Sequence, residues 1–237
     1  MYQTYIFDLY GTLIDIQTDE ERPEVWERLA LHFSYQGLRI TGVELMAFFL
    51  QERDSQLAEA AKTCQFPDFV MEKVFLAVAR QLGGEPALPW LHETVRWLRT
   101  LSMQHIALYD GVVEILRTLR SRGKKVFLLS NGQKTFIEAE LTMLGILHLF
   151  DGIAISSVAG ISKPDPLFYQ YLASTYGADL SSALMIGNDP RTDIAGASAI
   201  GMDSCYIQTA SSPSNIQVNS TVQIWDGDLR KIPGWNQ

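Results

Sequence analysis

The stretch YQTYIFDLYGTL, residues 2–13, decides how the rest of this chain is interpreted. Its apolar run over residues 2–8 ends abruptly at Asp8, and a turn containing Gly11 follows. A short apolar run that stops at a glycine turn is typical of a buried β-strand. We therefore expect a strand near the N-terminus, with Asp8 at its carboxyl end.

The second half of the chain alternates between helix-like and strand-like segments. Helical spacing is found over 112–122, 134–144, 165–176 and 191–200, and apolar strand-like runs over 124–131, 150–156, 182–187 and 203–209. A polar loop over 210–220 precedes a final edge strand at 222–225. This alternation predicts an α/β fold, in which a parallel sheet is covered by helices on both faces.

Residues 21–105 have a different pattern. Four successive helices are predicted there and no strand, and Thr41 suits the N-cap of the second helix. The alternating core thus begins at the N-terminus, pauses for a helical insertion and resumes near residue 106. We predict a core domain of residues 1–14 and 106–237 and a separate helical domain of residues 15–105.

Composition narrows the function. The 237 residues are 47% apolar, and 19 basic against 27 acidic residues give a net charge of −8. Such a chain is a poor general binder of nucleic acid or anionic membrane, because both require a basic face. No apolar stretch approaches the roughly 18 residues of a membrane span. The expected partner is a small-molecule substrate, and the oligomeric state stays open.

The cysteines and the N-terminus bear on the compartment. Cys64 and Cys205 have neither metal-ligand spacing nor a disulfide framework, so we expect two reduced thiols. The first basic residue is Arg22, so the charged start of a signal peptide is missing. These features predict a soluble, cytoplasmic protein.

Polar residues follow four of the predicted elements at the point where each ends. They are Asp8, the run Ser130-Asn131-Gly132, the run Ser162-Lys163-Pro164, and Gly187-Asn188-Asp189 with Asp193 four residues further on. In an open parallel sheet, ligands bind outside the carboxyl ends of the strands. The sequence therefore predicts a site built from carboxylates, a hydroxyl and an ammonium group at one edge of the sheet.

Four segments, taken in this order, resemble the motifs of the haloacid dehalogenase (HAD) superfamily. They are Asp8-Leu9-Tyr10-Gly11-Thr12-Leu13, Ser130-Asn131-Gly132, Lys163-Pro164-Asp165-Pro166 and Gly187-Asn188-Asp189-Pro190-Arg191-Thr192-Asp193. The resemblance runs from Tyr2 to about Gln208, and the insertion at 15–105 is similar to the helical cap of that family. It implies a hydrolase with a Rossmann-like core and an all-helical cap domain.

The resemblance also implies a role for each residue. Asp8 is the nucleophile that forms a covalent ester. Ser130 and Lys163 are catalytic groups that also bind the transferred group, together with Thr12, Asn131 and Gly132. Tyr10 stands at the position of a catalytic acid–base. Mg²⁺ is the implied cofactor, held by Asp8, the carbonyl of Tyr10, Asp189 and Asp193.

Two positions depart from the phosphatases of the family. Those enzymes usually carry an Asp where this chain has Tyr10, and many have an Asp in place of Asn188. A phenol, with a pKa of about 10, is a poor general base at neutral pH. Tyr at this position is instead what the family's 2-haloacid dehalogenases show. Those enzymes need no metal and usually bind the departing halide with a cap Arg, for which Arg22, Arg28 and Arg39 are candidates.

The retained acidic residues decide between these hypotheses at this stage. Asp189 and Asp193 beside Asp8 make chemical sense mainly as a cation site. We therefore favour a Mg²⁺-dependent phosphatase acting on a small phosphorylated metabolite through an aspartyl-phosphate on Asp8. The alternatives are a metal-independent 2-haloacid dehalogenase and a non-catalytic protein that binds a phosphorylated metabolite. Arg191 and the four histidines, His32, His92, His105 and His148, are interpreted as structural.

Overall fold

The computed structural model of the protein describes residues 2–235. The predicted core domain was bounded by residues 1 and 237, and these, with residue 236, lie outside the described residues. The strands are β1 (Thr4–Phe7), β2 (Ile14–Thr18), β3 (Met103–Leu108), β4 (Lys125–Ser130), β5 (Gly152–Ile155), β6 (Ala183–Gly187), β7 (Asp203–Ile207) and β8 (Val222–Ile224). The α-helices are α1 (Pro23–Ser34), α2 (Gly42–Ala60), α3 (Met71–Gln81), α4 (Leu88–Ser102), α5 (Val112–Ser121), α6 (Lys134–Met143), α7 (Ser156–Ala159), α8 (Pro166–Tyr176) and α9 (Ala195–Ala199).

Six of these strands form one parallel sheet in the order β5-β4-β1-β6-β7-β8. The central strand β1 is buried on both faces: Tyr5 and Phe7 pack into one apolar cluster, and Ile6 packs into another on the opposite face. A strand covered on both sides needs an unbroken apolar run, which is why residues 4–7 carry no alternation. The predicted α/β fold, a parallel sheet between two layers of helices, is confirmed.

Helices α1 to α4 share an apolar cluster of their own. Thr41 caps α2 as predicted, because its side chain accepts from the Glu44 N–H while the Glu44 carboxylate accepts from the Thr41 N–H. Phe136 of α6 also belongs to this cluster. The helical unit therefore packs directly on one helix of the sheet layer.

A two-stranded antiparallel sheet, which the sequence did not predict, lies at the two ends of the helical segment. Strands β2 and β3 pair antiparallel, with Ile14 opposite Leu108 and Ile16 opposite Ile106. The helix expected over 90–104 ends at Ser102, and no element was predicted over residues 14–18. The two strands are separated by some 85 residues in the chain, so their pairing leaves no local signal.

One further element differs in detail from its prediction. The helix expected over 191–200 is a π-helical turn over Pro190–Ile194, which is followed by the short helix α9. Among the described residues, no helix combines the length and apolar character needed to cross a membrane.

Candidate active site

The site lies at the carboxyl ends of β4, β1 and β6, which are neighbours in the sheet. Asp8 follows β1, Ser130 ends β4, and Asn188 follows β6. Because parallel strands end at the same edge, these three residues meet although they are far apart in sequence. Lys163 enters from the loop between α7 and α8.

Lys163 links two carboxylates in the interior. Its Nζ lies 2.6 Å from Asp8 Oδ1 and 2.7 Å from Asp193 Oδ1, and the Lys163 side chain is only 2% exposed. Burial by itself lowers the pKa of Lys163, but the attraction of Asp193 and Asp8 outweighs it and raises the pKa. Burial raises the pKa of Asp193 to about 6, against the pull of Lys163. The ammonium group of Lys163 therefore stays charged beside Asp8.

The second oxygen of Asp8 faces a different set of groups. Thr12 Oγ1 lies 3.0 Å from Asp8 Oδ2 and 3.4 Å from Asn188 Oδ1, and Thr12 is fully buried. Gly11 is required here, since a Cβ on it would lie 2.3 Å from Asn188 Nδ2 and its φ is +82°. Thr12, predicted to bind substrate, is thus placed as a brace between Asp8 and Asn188.

Asp189 points away from this cluster, unlike the arrangement expected from the sequence. Its carboxylate accepts from the Arg191 N–H at 2.9 Å and from Arg191 Nε and Nη2 at 3.1 and 2.8 Å. Arg191, interpreted from the sequence as structural, thus forms a salt bridge with Asp189. The residue next to Asp8 after β6 is Asn188, whose side chain direction could not be known from spacing. Residues 2–235 hold no cluster of three or more His, Cys, Asp or Glu suited to a metal ion.

The residues at the end of β4 and just after it have different surroundings. The Ser130 hydroxyl is fully buried and has no hydrogen-bond partner within residues 2–235. Asn131 instead braces the Lys163 backbone: its Oδ1 accepts from the Lys163 N–H at 2.8 Å and its Nδ2 donates to the Lys163 carbonyl at 3.1 Å. Gly132 N–H donates to Ser156 Oγ at 2.8 Å.

Tyr10 is part of a buried network that sequence reasoning missed. Its hydroxyl donates to Glu140 Oε2 at 2.6 Å, and Arg99 Nε donates to Glu140 Oε1 at 2.6 Å. The Arg99 guanidinium lies 5.2 Å from the ring centre of Tyr10 and 4.7 Å from that of Phe136. Burial raises the pKa of Tyr10 well above its usual range. The sequence carried one sign of this network. Glu140 lies four residues after Phe136 in α6, which places a carboxylate on the buried, apolar face of that helix.

A cleft of about 530 Å³ lies beside Tyr10, in the loop that follows β1. It is lined by Tyr10, Ile16, Thr18, Asp68, Phe69, Arg99, Asn131, Gly132, Gln133, Phe136 and Ser162. The arginine in this lining is Arg99, and none of Arg22, Arg28 and Arg39 lines it. The four histidines also lie outside the lining, in keeping with a structural role.

The sequence model of the haloacid dehalogenase-like hydrolases matches residues 2–201. The chain belongs to this family, as its four motifs predicted, and it is a hydrolase of the family. The phosphoserine phosphatase of Thermus thermophilus is 27% identical over 164 residues, which cover 68% of this chain and 63% of that protein. This chain therefore spans less than two thirds of that phosphatase.

The relatives also include dehalogenases. The haloacetate dehalogenase H-2 of Moraxella sp. is 33% identical over 201 residues, covering 85% of this chain and 83% of that protein. The crystal structure of the 2-haloacid dehalogenase from Pseudomonas syringae pv. Tomato superposes with a TM-score of 0.63, at 20% identity and 94% coverage of both chains. That likeness establishes the fold, and both kinds of hydrolase are found among the relatives.

Proposed function

We propose that the protein is a phosphatase in which Asp8 attacks a small phosphorylated metabolite, with Mg²⁺ as cofactor. The observation that carries this proposal is the buried Ser130 hydroxyl, which lacks a partner within residues 2–235. A buried polar group without a partner is costly, so a ligand oxygen is the natural partner for it. Lys163, held by Asp8 and Asp193, supplies the positive charge that phosphoryl transfer requires beside such an oxygen.

The groups on the other side of Asp8 suit a hard cation. Asp8 Oδ2, the carboxylate oxygen that Lys163 does not contact, and Asn188 Oδ1 lie 3.0 and 3.4 Å from Thr12 Oγ1, so both are hard oxygens near the same hydroxyl. Mg²⁺ is usually bound through one or two carboxylates, retained waters and substrate phosphate. Asp8 and Asn188 would hold the ion with the Tyr10 carbonyl, and Asp193 would brace the site through Lys163. When bound, the ion would neutralise charge on the phosphoryl oxygens.

The reaction proceeds in two displacements. An oxygen of Asp8 bonds to phosphorus while the ester P–O bond breaks, and its electron pair leaves with the alcohol oxygen. Water then attacks the phosphorus of the aspartyl-phosphate, which releases phosphate and restores the Asp8 carboxylate. Lys163 stabilises the negative charge that develops in both steps.

Proton transfer is the weak step in this mechanism. Tyr10 donates its only hydroxyl proton to Glu140, so it has no proton to give to the leaving group. The departing alkoxide must therefore take its proton from water. We expect slow turnover that favours substrates whose leaving group has a low pKa.

Dehalogenation at carbon is the second candidate. It is favoured by Tyr10 itself and by the dehalogenase from Moraxella sp. among the relatives. Halide departure calls for an uncompensated cation in the cleft. The cleft's arginine, Arg99, is already paired with Glu140 at 2.6 Å and lies 3.6 Å from Glu20. This pairing is the reason for preferring the phosphatase.

A single comparison of products separates the two candidates. Release of phosphate from p-nitrophenyl phosphate and of chloride from 2-chloropropionate is measured with Mg²⁺ and with EDTA, beside an Asp8→Asn variant purified identically. We expect phosphate release that requires both Mg²⁺ and Asp8. Chloride release in EDTA without any phosphate release would overturn the proposal in favour of dehalogenation.

The proposal includes the organisation and location of the protein. Residues 15–105 act as the helical cap that closes the cleft over a core of residues 1–14 and 106–237. A cytoplasmic location agrees with the two free cysteines, Cys64 and Cys205.

A further inference from the structure

The cleft beside the nucleophile carries an unbalanced negative charge. Only two of the residues that line it are ionised at neutral pH, Asp68 and Arg99. Arg99 is compensated by Glu140 at 2.6 Å and by Glu20 at 3.6 Å, both outside the lining. Asp68 has no cation within salt-bridge distance among residues 2–235, so its charge is the one the cleft presents to a substrate.

Asp68 is held firmly in this position. Its Oδ2 accepts from Ser156 Oγ at 2.5 Å and its Oδ1 accepts from the Phe69 N–H at 2.8 Å. Both donors are neutral, and each carboxylate oxygen retains a free acceptor site. Burial raises the pKa of Asp68 above its ordinary value, which is the response of a carboxylate without a counter-ion.

The segment that carries Asp68 is fastened to the core of the molecule. Pro67 forms a β-bridge with Ile161, and the Asp68 N–H donates to the Gly160 carbonyl at 3.3 Å. Gln133 Nε2 donates to the Phe69 carbonyl at 3.0 Å. The carboxylate therefore faces the cleft in a fixed place without depending on a bound ligand.

The neighbouring side chains suit a small organic cation. Tyr10, Phe69 and Phe136 provide aromatic surface in the same cleft. An ammonium group gains a charge-assisted hydrogen bond from a carboxylate and favourable contact with an aromatic face.

We propose that Asp68 is a specificity-determining residue that selects phosphomonoesters carrying a primary ammonium group at the end remote from the phosphate. This inference rests on the proposed phosphatase function and names the substrate class of that site. The phosphate end lies at Asp8, Ser130 and Lys163, and the ammonium end lies against Asp68.

Two non-hydrolysable ligands of matched length test the inference on the intact protein. Binding of 3-aminopropylphosphonate and n-butylphosphonate is measured by calorimetry with Mg²⁺ in the parent chain and in the Asp68→Asn and Asp68→Glu variants. Asp54→Asn is the control, because it makes the same substitution at an exposed position of α2. Thermal unfolding of each variant is recorded beside the titrations.

We expect the parent to bind the amino compound about tenfold more tightly than the butyl compound, the scale of one hydrogen bond to a charged group. Asp68→Asn should remove this preference through weaker binding of 3-aminopropylphosphonate, while Asp68→Glu and Asp54→Asn keep the preference. Equal binding of both ligands to the parent would overturn the inference alone. Failure of both ligands to bind would overturn the phosphatase proposal and the inference with it.

Discussion

Tyr10 shows how one residue changes the chemistry open to this site. A hydroxyl can donate one proton, and in this protein Glu140 accepts it at 2.6 Å. The Tyr10 side chain therefore has no proton to give to a leaving group. Lys163 and Thr12 contact the two oxygens of Asp8.

Restoring an acid–base at this position should accelerate the proposed reaction. We expect Tyr10→Asp to raise Mg²⁺-dependent phosphate release by about 10²-fold or more, the usual contribution of a general acid–base. Tyr10→Phe is the control and should keep the parent rate, because the phenol proton is not available to the substrate. Steady-state release of phosphate from an alkyl phosphomonoester, whose leaving group has a high pKa, measures both variants. Equal rates in Tyr10→Asp and Tyr10→Phe would contradict this assignment.

Asp68 supplies a prediction about pH and stability. Burial raises its pKa above the ordinary value of 3.8, so the folded protein holds this proton more tightly than the unfolded chain. The stability from this group is therefore present at acidic pH and is lost as the pH rises through the folded-state pKa. We expect Asp68→Asn to gain free energy of unfolding relative to the parent between acidic and neutral pH. Urea unfolding at several pH values measures the difference, and parallel curves would disagree with it.

At the scale of elements, helices α4 and α6 are joined by one buried carboxylate. Glu140 of α6 accepts from Arg99 of α4 and from Tyr10 of the loop after β1, and its side chain is 4% exposed. The same two helices meet through Phe136, which packs among the apolar side chains of the helical unit. This contact aligns one wall of the cleft with the nucleophile.

Removing that carboxylate should be costly. Glu140→Ala leaves the Tyr10 hydroxyl without its acceptor and the Arg99 cation with only Glu20, at 3.6 Å. Breaking a buried ion pair in this way typically costs about 3–5 kcal/mol. Glu140→Gln keeps an acceptor and should cost less. Glu138→Ala, an exposed change on the same helix, should stay within about 0.5 kcal/mol of the parent. Equilibrium unfolding in urea compares the three, and a Glu140→Ala cost near that of Glu138→Ala would be incompatible with the network.

At the scale of the whole molecule, the helical unit and the sheet are connected at several points. Gln133 bonds both Phe69 and Met71, and Ser156 bonds Asp68. With Phe136 and Glu140, these contacts tie the insertion to α6 and to the loops beside it. Units joined in this way lose stability together.

We expect both units to unfold in one transition. Three of the five tryptophans, Trp26, Trp90 and Trp97, lie in α1 and α4, so fluorescence reports mainly on the helical unit. Far-ultraviolet circular dichroism reports on the whole chain. Coincident thermal curves from the two probes are the expected outcome, since coincidence is the test of two-state unfolding. Two separated midpoints would show that the helical unit unfolds independently.

The sequence alone determined the fold class and the family. Buried parallel strands are continuous apolar runs that end at turns, so β1, β4 and β6 could be located locally, and the order of the motifs after them identified the hydrolase family. Thr41 was recognisable as a cap for the same reason, because its partner Glu44 is only three residues away. Each of these features is set by neighbours along the chain.

The tertiary structure decided which side chains meet. Asn188 and Asp189 are adjacent in sequence, yet Asn188 packs on Gly11 while Asp189 pairs with Arg191. Arg99 and Glu140 are 41 residues apart, and Asp68 reaches the cleft on a segment fastened to residues near 160. Side-chain direction and long-range packing determine these contacts, and neither leaves a periodic trace in the sequence. For the same reason the pairing of β2 with β3 could be recognised only in the folded structure.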